Sequence, residues 1–177
     1  MSSYRSGEFE KMTNSRISEW FYQYSNDVYQ FLIYYLGSTD VEDLVQEVFI
    51  RAIKNENSFQ ESSTPKTWLF AIARNLAIDE IRRKQRGRIK NLLLREKQRP
   101  FDDQTPEKVL ELNETNQQLF QAIQKLNRNY RDVIVLRGIK ELSIKETAEI
   151  LNWKEEKVRL TFHRAIKALQ NDKGRFM

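Results

Sequence analysis

Residues 142–169 have the sequence LSIKETAEILNWKEEKVRLTFHRAIKAL, in which one break separates two helical patterns. Apolar residues at helical spacing predict a short helix from Ser143 to Leu151 and a longer one from Lys154 to Leu169. Between them, Asn152 tolerates the left-handed backbone that a tight turn requires. The stretch therefore predicts a helix-turn-helix, a motif that presents its second helix to the major groove of DNA.

The second helix of this motif has one apolar and one charged face. Val158, Phe162 and Leu169 fall on the apolar side at about 100° per residue. The opposite side combines cations, a histidine and a leucine, which suit contacts with phosphates, base edges and a thymine methyl. The residues expected to contact DNA are Lys157, Arg159, Leu160, His163, Arg164 and Lys167. An ordinary solvated helix is the alternative, but it would not follow a short helix and a turn.

Helical periodicity also fills the first half of the chain. Apolar residues recur at helical spacing over residues 17–35, and Gly37 suits a left-handed cap at the end of this helix. The apolar face of residues 41–53 predicts a second helix, with Ser38 or Thr39 as its cap. These segments indicate a helical bundle.

A third helix is predicted to begin at the pair Thr64 and Pro65, a capping residue followed by proline at the first helical position. Its periodicity runs from Trp68 to Ile81. Between Gly87 and Glu111, charged residues, glutamine and proline replace the periodic apolar pattern, so this stretch predicts a flexible linker.

The whole sequence predicts an all-α fold of two small helical domains joined by a flexible linker. Helical spacing resumes after the linker, and no window alternates in the manner of a β-strand. The expected segments are an N-terminal extension at 1–15, a first domain at 16–90, a linker at 91–108 and a second domain at 109–177.

Composition argues against catalysis. The 177 residues include no cysteine and one histidine, which excludes disulfides, thiolate metal sites and cysteine nucleophiles. His163 has no base or nucleophile at a suitable spacing, and no Gly-rich phosphate loop is present. We therefore expect no enzyme activity, no metal and no cofactor. The absence of a secretory core or a long apolar segment predicts a cytoplasmic protein.

The third helix carries a large excess of positive charge toward its C-terminal end. Between Lys66 and Lys90 there are eight cations but only two anions, Asp79 and Glu80. One stripe of this helix combines an amide, arginines and small apolar groups, namely Ala71, Arg74, Asn75, Ile78 and Arg82. Such a surface suits DNA bases and phosphates. A solubilising helix end, favoured by the helix dipole, is the alternative.

The second helix has an acidic stripe on its polar side. Gln46, Glu47 and Ile50 follow Asp43 by three, four and seven residues, so all four share one helix face. This stripe would repel DNA, but it suits a basic protein surface with Ile50 as an apolar contact. On the pattern alone, a solvated helix face is the simpler interpretation.

Two longer parts of the sequence resemble a known family. The stretches DLVQEVFIRAI (43–53) and TWLFAIARNLAIDEIRRKQR (67–86) are similar to domain 2 of the extracytoplasmic-function sigma factors. The stretch LNRNYRDVIVLRGIKELSIKETAEILNWKEEKVRLTFHRAIKAL (126–169) resembles their domain 4. The order and separation of these motifs are also those of the family. The resemblance implies a subunit that binds core RNA polymerase and directs promoter-specific transcription initiation.

This resemblance implies a role for each charged surface. The acidic stripe would grip the clamp helices of the largest polymerase subunit through Asp43, Gln46, Glu47, Phe49 and Ile50. The loop and third helix would open the minus-10 promoter element and capture its non-template strand through Phe59, Ser62, Ser63, Asn75, Asp79, Arg82, Arg83, Lys84 and Arg86. The helix-turn-helix would bind the minus-35 element as duplex DNA. The chain departs from the family's usual pattern at Lys154 and Leu160.

The implied partners are core RNA polymerase, promoter DNA and an anti-sigma factor, often membrane bound, that controls a stress or cell-envelope regulon. A free-standing helix-turn-helix repressor or activator is the alternative, and the linker and acidic stripe argue against it. A nucleic-acid enzyme is disfavoured because no carboxylates have metal-ligand spacing.

Overall fold

A computed structural model of the chain describes residues 16–94 and 114–173, and every regular element in those ranges is helical. The first domain consists of α1 (Arg16–Leu36), α2 (Glu42–Lys54), a short 3₁₀ turn (Glu56–Ser58) and α3 (Pro65–Leu93). The second domain consists of α4 (Glu114–Lys125), α5 (Arg128–Val133), a π-helical turn (Ile134–Ile139), α6 (Ile144–Leu151) and α7 (Glu155–Lys173). The all-α fold of two helical domains is confirmed. The expected extension at 1–15 and most of the expected linker lie outside the described residues.

Local chemistry sets several helix ends as the sequence predicts. The Thr64 hydroxyl accepts a hydrogen bond from the Thr67 backbone N–H at 3.2 Å, so it caps α3. Gly37 ends α1 with a φ of 68°, and Asn152 ends α6 with a φ of 54°. Both residues therefore adopt the left-handed conformation that their residue types tolerate best.

Two helix boundaries differ from the expectation. Neither Ser38 nor Thr39 caps α2, since the helix starts after Val41, whose apolar side chain makes no capping hydrogen bond. Helix α3 continues through Gly87 to Leu93, where the composition indicated a linker. Arginine, lysine, glutamine and leucine are good helix formers, so this segment stays helical without an apolar face to bury.

Each domain has an apolar core. In the first domain, the rings of Phe31 and Phe70 meet edge to face with centroids 5.3 Å apart, which joins α1 to α3. Burying one such side chain stabilises the fold by about 1.5–3 kcal/mol. The second domain is centred on buried side chains from α4, α5, the π-helical turn and α7, namely Ile123, Val133, Val135, Leu136, Val158 and Ala165.

The two domains pack against each other, with α6 against α3 and with α4 and the π-helical turn against α1. The Gln124 amide in α4 donates a hydrogen bond of 2.6 Å to the Tyr34 carbonyl oxygen in α1. A Cβ at Gly37 would lie 2.5 Å from Cδ of Gln124. The left-handed backbone therefore favours glycine at position 37, and a side chain there would also displace the Gln124 amide.

Candidate nucleic-acid interface

The helix-turn-helix comprises α6, a turn at Asn152 and α7. Ser143 and Glu146 form a capping box at the start of α6, because each side chain accepts a hydrogen bond from the other residue's backbone N–H, at 3.0 and 2.7 Å. The Trp153 N–H then donates to the Ala148 carbonyl oxygen across the turn. These bonds fix the position from which α7 leaves the motif.

The buried face of α7 sets its rotation. Val158 and Ala165 are fully buried, and the guanidinium of Arg137 lies 5.3 Å from the ring centroid of Phe162. All six side chains expected to contact the minus-35 element are exposed on the other face: Lys157, Arg159, Leu160, His163, Arg164 and Lys167. Leu160 is 51% exposed, unusually open for a leucine.

Two of these cations already have partners within the domain. The ammonium group of Lys157 lies 4.0 Å from the ring centroid of Trp153, and Arg159 pairs with Glu155 at 3.3 Å. The aromatic ring holds Lys157 beside the turn without neutralising its charge. Glu155 lowers the net charge that Arg159 offers to a phosphate.

An open cleft of about 580 Å³ separates the start of α5 from the exposed face of α7. Its lining includes Arg128 on one wall and Lys157 and Arg164 on the other, with Leu160 between them and no acidic residue. Sequence reasoning missed Arg128. A signal was present, since a cation in the first turn of a helix opposes the helix dipole and gains from an anionic partner.

The polar side of α3 forms an exposed stripe. Asn75, Asp79, Arg82 and Arg86 are all exposed and lie three or four residues apart. Arg83 lies beside the stripe and forms a two-pronged ion pair with Glu80, at 2.7 and 3.0 Å. The hydrogen bond from Arg83 holds the pKa of Glu80 below its ordinary value.

Lys84, on the same helix, is half-buried. In the loop before α3, some of the side chains expected to contact DNA are packed against the protein and others are exposed. Phe59 packs between Trp20 and Trp68, with ring centroids 5.0 and 5.4 Å away, so it supports the loop instead of projecting from it. Ser62 is exposed. The Ser63 hydroxyl donates a long hydrogen bond of 3.4 Å to Glu149 of the second domain.

A smaller cleft of about 210 Å³ opens between the end of α2 and the exposed stripe of α3. Trp68 and Ile72 form its apolar side, and Asn55, Ser58 and Asn75 supply polar groups. Apolar groups beside a few polar ones are the lining typical of sites for small aromatic rings.

The acidic stripe on α2 is exposed at Asp43 and Gln46, and partly exposed at Glu47 and Ile50. Glu47 pairs with Arg51 at 3.0 Å, one turn further along the helix. Phe49 does not belong to this surface. It is 1% exposed, and its ring meets that of Phe21 in the core, so its inclusion among the surface contacts was wrong.

Arg74 borders the exposed stripe of α3 but turns toward the second domain. Its Nε and Nη2 atoms donate to the two carboxylate oxygens of Asp132, each at 2.9 Å. Asp132 is fully buried. This ion pair thus ties α3 of the first domain to α5 of the second.

Within residues 16–94 and 114–173, no three histidine or carboxylate side chains form a group that could hold a metal ion. His163 lies among the exposed groups of α7. None of the helices in those ranges combines the length and apolar character needed to cross a bilayer.

Comparison with known proteins extends these observations. The family Sigma-70 region 2 matches residues 20–87, and the family Sigma-70, region 4 matches residues 116–169. The chain is 38% identical over 151 residues to the ECF RNA polymerase sigma factor SigX of Bacillus subtilis, covering 83% of this chain and 78% of that protein. It is 37% identical over 155 residues to SigW of the same organism, covering 83% of each.

Two solved structures have a similar fold. The sigma factor RpoE from Bartonella quintana, in complex with the anti-sigma factor NepR, superposes with a TM-score of 0.69 at 23% identity, covering 87% of this chain and 94% of that one. CnrH, in complex with the cytosolic domain of CnrY, superposes with a TM-score of 0.67 at 20% identity. The match covers 93% of this chain and 92% of that one. At these identities the likeness concerns the fold alone.

Proposed function

The chain belongs to the extracytoplasmic-function family of RNA polymerase sigma factors, and from this premise we propose which of its surfaces performs each step of transcription initiation. As a sigma factor it binds core RNA polymerase and directs promoter-specific initiation. Sigma factors are initiation factors and not enzymes. The free-standing repressor or activator is not favoured, because both sigma-70 regions match in the family's order.

The acidic stripe of α2 binds core polymerase through Asp43, Gln46, Glu47 and Ile50. Its support is the exposure of these side chains on one helix face, with Ile50 as a partly exposed apolar contact among charges. A basic surface on the polymerase would complement the stripe. Phe49 contributes indirectly, because its buried ring fixes α2 against α1.

The exposed stripe of α3 captures the non-template strand of the minus-10 element. Asn75 supplies donors and acceptors for a base edge and also lines the cleft beside Trp68, so an unstacked base can enter that cleft. Arg82, Arg86 and the half-buried Lys84 bind phosphates. Asp79 completes the stripe, and Ser62 and Ser63 border it from the loop.

Two residues have smaller parts in this step than the sequence indicates. Arg83 is engaged by Glu80, so less of its charge is available to DNA. Phe59 holds the loop through its aromatic neighbours.

The exposed face of α7 binds the minus-35 element in the major groove. Leu160 offers an apolar surface to a thymine methyl, and His163 and Arg164 offer donors beside it. Arg128 and Lys157 bind a phosphate in the cleft next to Leu160. Arg159 and Lys167 flank this face, with Arg159 moderated by Glu155.

An anti-sigma factor controls the chain, and its regulon concerns stress or the cell envelope. The support is that similar sigma factors have been solved with anti-sigma partners and that the surfaces described above are exposed for capture. The cytoplasm is the proposed location, because core polymerase and promoter DNA are there.

The matched pair of sigma-70 regions, each with a helix that exposes several cations, is the observation that carries this function. Run-off transcription with purified core polymerase tests it. Core polymerase alone should give no specific product, and adding the chain should give one start site per cognate promoter. The isolated chain should bind the same duplex weakly, since each domain makes few contacts. Tight, specific binding by the isolated chain would instead support a repressor or activator.

A further inference from the structure

Arg74 and Asp132 lie in different domains and form a buried ion pair. The guanidinium meets the carboxylate in the two-pronged geometry that arginine also uses with phosphate. The Arg74 side chain is 17% exposed and the Asp132 side chain is fully buried. The pair therefore removes from solvent a cation that borders the DNA-facing stripe of α3.

Tyr35 completes the cluster. Its hydroxyl donates a 2.7 Å hydrogen bond to the carboxylate oxygen that Arg74 Nε also contacts. Burial and the Asp132 carboxylate both raise the pKa of Tyr35, so the phenol keeps its proton and remains a donor. Burial lowers the pKa of Arg74, but the hydrogen bond and the attraction to Asp132 outweigh burial and raise this pKa above its ordinary value, so the guanidinium stays charged.

A second polar contact joins the domains further along the same interface. Lys140 donates to Asp27 at 2.7 Å and to Gln30 at 2.8 Å, and Lys66 approaches Asp27 at 3.7 Å. Burial raises the pKa of Asp27, but the hydrogen bonds and charges of Lys140 and Lys66 together outweigh burial and hold this pKa below its ordinary value. Buried ion pairs gain little net free energy after desolvation, so the Arg74–Asp132 pair itself adds little to the free energy needed to separate the domains.

This contact is incompatible with simultaneous promoter recognition. The names of the two promoter elements place them about 25 base pairs apart, or about 85 Å along B-DNA at about 3.4 Å per base pair. A domain of this size is only about 25–30 Å across. Domains joined by a 2.9 Å ion pair cannot occupy both elements, so the contact has to break during promoter recognition.

We propose that Arg74 is a promoter-phosphate contact that Asp132 masks in the free protein, with the carboxylate taking the place of a DNA phosphate. Separation of the domains on core polymerase frees Arg74 for the non-template strand beside Asn75 and Arg82. The proposed contact between Arg74 and a DNA phosphate rests on the proposed role of α3 in minus-10 recognition. The masking contact itself is tested without DNA.

The first experiment measures the distance between the domains. The chain has no cysteine, so Tyr22→Cys in α1 and Lys145→Cys in α6, both at exposed positions, give two unique labelling sites. The free labelled protein should show a short distance that lengthens with core polymerase. Asp132→Asn and Arg74→Gln, which break the pair from opposite domains, should each lengthen it without polymerase.

Asp40→Asn is the matched control, because it removes the same charge from an exposed position outside the interface. It should keep the short distance. Circular dichroism should show full helicity in every variant, and Arg74→Gln remains informative if Asp132→Asn fails to fold. A long distance in the free parent protein, or a short one in Arg74→Gln, would overturn the masking contact.

The second experiment measures binding of fluorescein-labelled oligo(dT) by fluorescence anisotropy, with the full chain free of polymerase. Asp132→Asn should bind several-fold more tightly than the parent, while Asp40→Asn should not. The double variant Arg74→Gln/Asp132→Asn should lose the gain although its domains are open. No gain in Asp132→Asn, or equal binding by the double variant, would refute the phosphate contact. Failure of run-off transcription would instead refute the sigma-factor assignment.

Discussion

Arg128 and Arg164 line opposite walls of one cleft, the first at the start of α5 and the second on the exposed face of α7. Lys157 adds a third positive charge, and the lining contains no acidic group. Like charges that share one cleft gain when an anion enters between them. A phosphate of the minus-35 duplex is the anion that the adjacent recognition helix would bring.

Arg128→Ala should weaken minus-35 binding by the polymerase complex for all promoter sequences alike. Loss of one phosphate contact should lower the slope of log affinity against log salt concentration by about 1. Lys125→Ala removes a cation from the end of α4, outside the cleft, and should leave that slope unchanged. Binding titrations over a range of salt concentrations distinguish the two, and an unchanged slope for Arg128→Ala would contradict the phosphate contact.

Leu160→Ala should weaken minus-35 recognition by about 1 kcal/mol at a single base pair and relax the preference there. Its exposure means that truncation leaves almost no cavity, so the melting temperature should hardly change. Val158→Ala, on the buried side of the same helix, should lower the melting temperature instead. A binding scan over single-base promoter variants, run beside thermal melting, decides the matter. Reduced stability with an unchanged base preference would show that Leu160 has a packing role.

Asp43→Arg should reduce affinity for core polymerase while leaving the helical fold intact, because the residue is exposed and the change reverses its charge. Glu47→Arg should act in the same direction and also loses the ion pair with Arg51. Glu19→Arg, at an exposed position on α1, is the charge-matched control. Competition with a reference sigma factor for core enzyme measures the effect, and equal competition by all variants would rule out this docking surface.

Asn75→Ala and Arg82→Ala should slow open-complex formation on duplex promoters more than on templates with a pre-opened bubble. The bubble removes the unpairing cost that these residues help to offset. Arg83→Ala should have a smaller effect, because Glu80 already engages its guanidinium. Fluorescence-monitored opening on the two templates gives the comparison. Equal losses on both would mean that the residues only position the protein.

Asp27→Asn should destabilise the chain at neutral pH and lose that effect in acid. The folded-state pKa of Asp27 lies below its ordinary value of 3.8, so its ionised form stabilises the fold above that pH. As the pH falls through the lowered pKa, the carboxylate takes up a proton and this contribution disappears. Denaturant unfolding of both proteins should therefore show a difference that shrinks below pH 3.8. A constant difference would argue against the Lys140 contact.

Features that depend on neighbouring residues were predictable from the sequence. The cap at Thr64 and the left-handed turns at Gly37 and Asn152 follow from local chemistry, and all three occur. The error at Phe49 was avoidable. The buried residues of α2 have the i, i+3, i+4, i+7 spacing of a core face, and Phe49 belongs to that set of Val45, Val48, Phe49 and Ala52.

Contacts between the two domains could not be predicted from local sequence patterns. Asp132 is a charged residue in a polar stretch, and its burial depends on Tyr35 and Arg74, which are distant in sequence. Arg128 and Arg164 share a cleft only because α5 packs against α7. Helical periodicity places a residue on a face of its own helix, but it does not say which other helix that face meets.

Position 37 in the first domain lies against position 124 in the second, so a substitution at one affects the other. A side chain there would need the left-handed backbone and would also push Gln124 away from the Tyr34 carbonyl oxygen. A shorter residue at position 124 would remove the contact with a side chain at position 37. It would not remove the cost of the left-handed backbone there. A substitution at position 37 therefore meets two costs, the left-handed backbone and the displaced Gln124 amide, and asparagine is the residue that this backbone best accommodates.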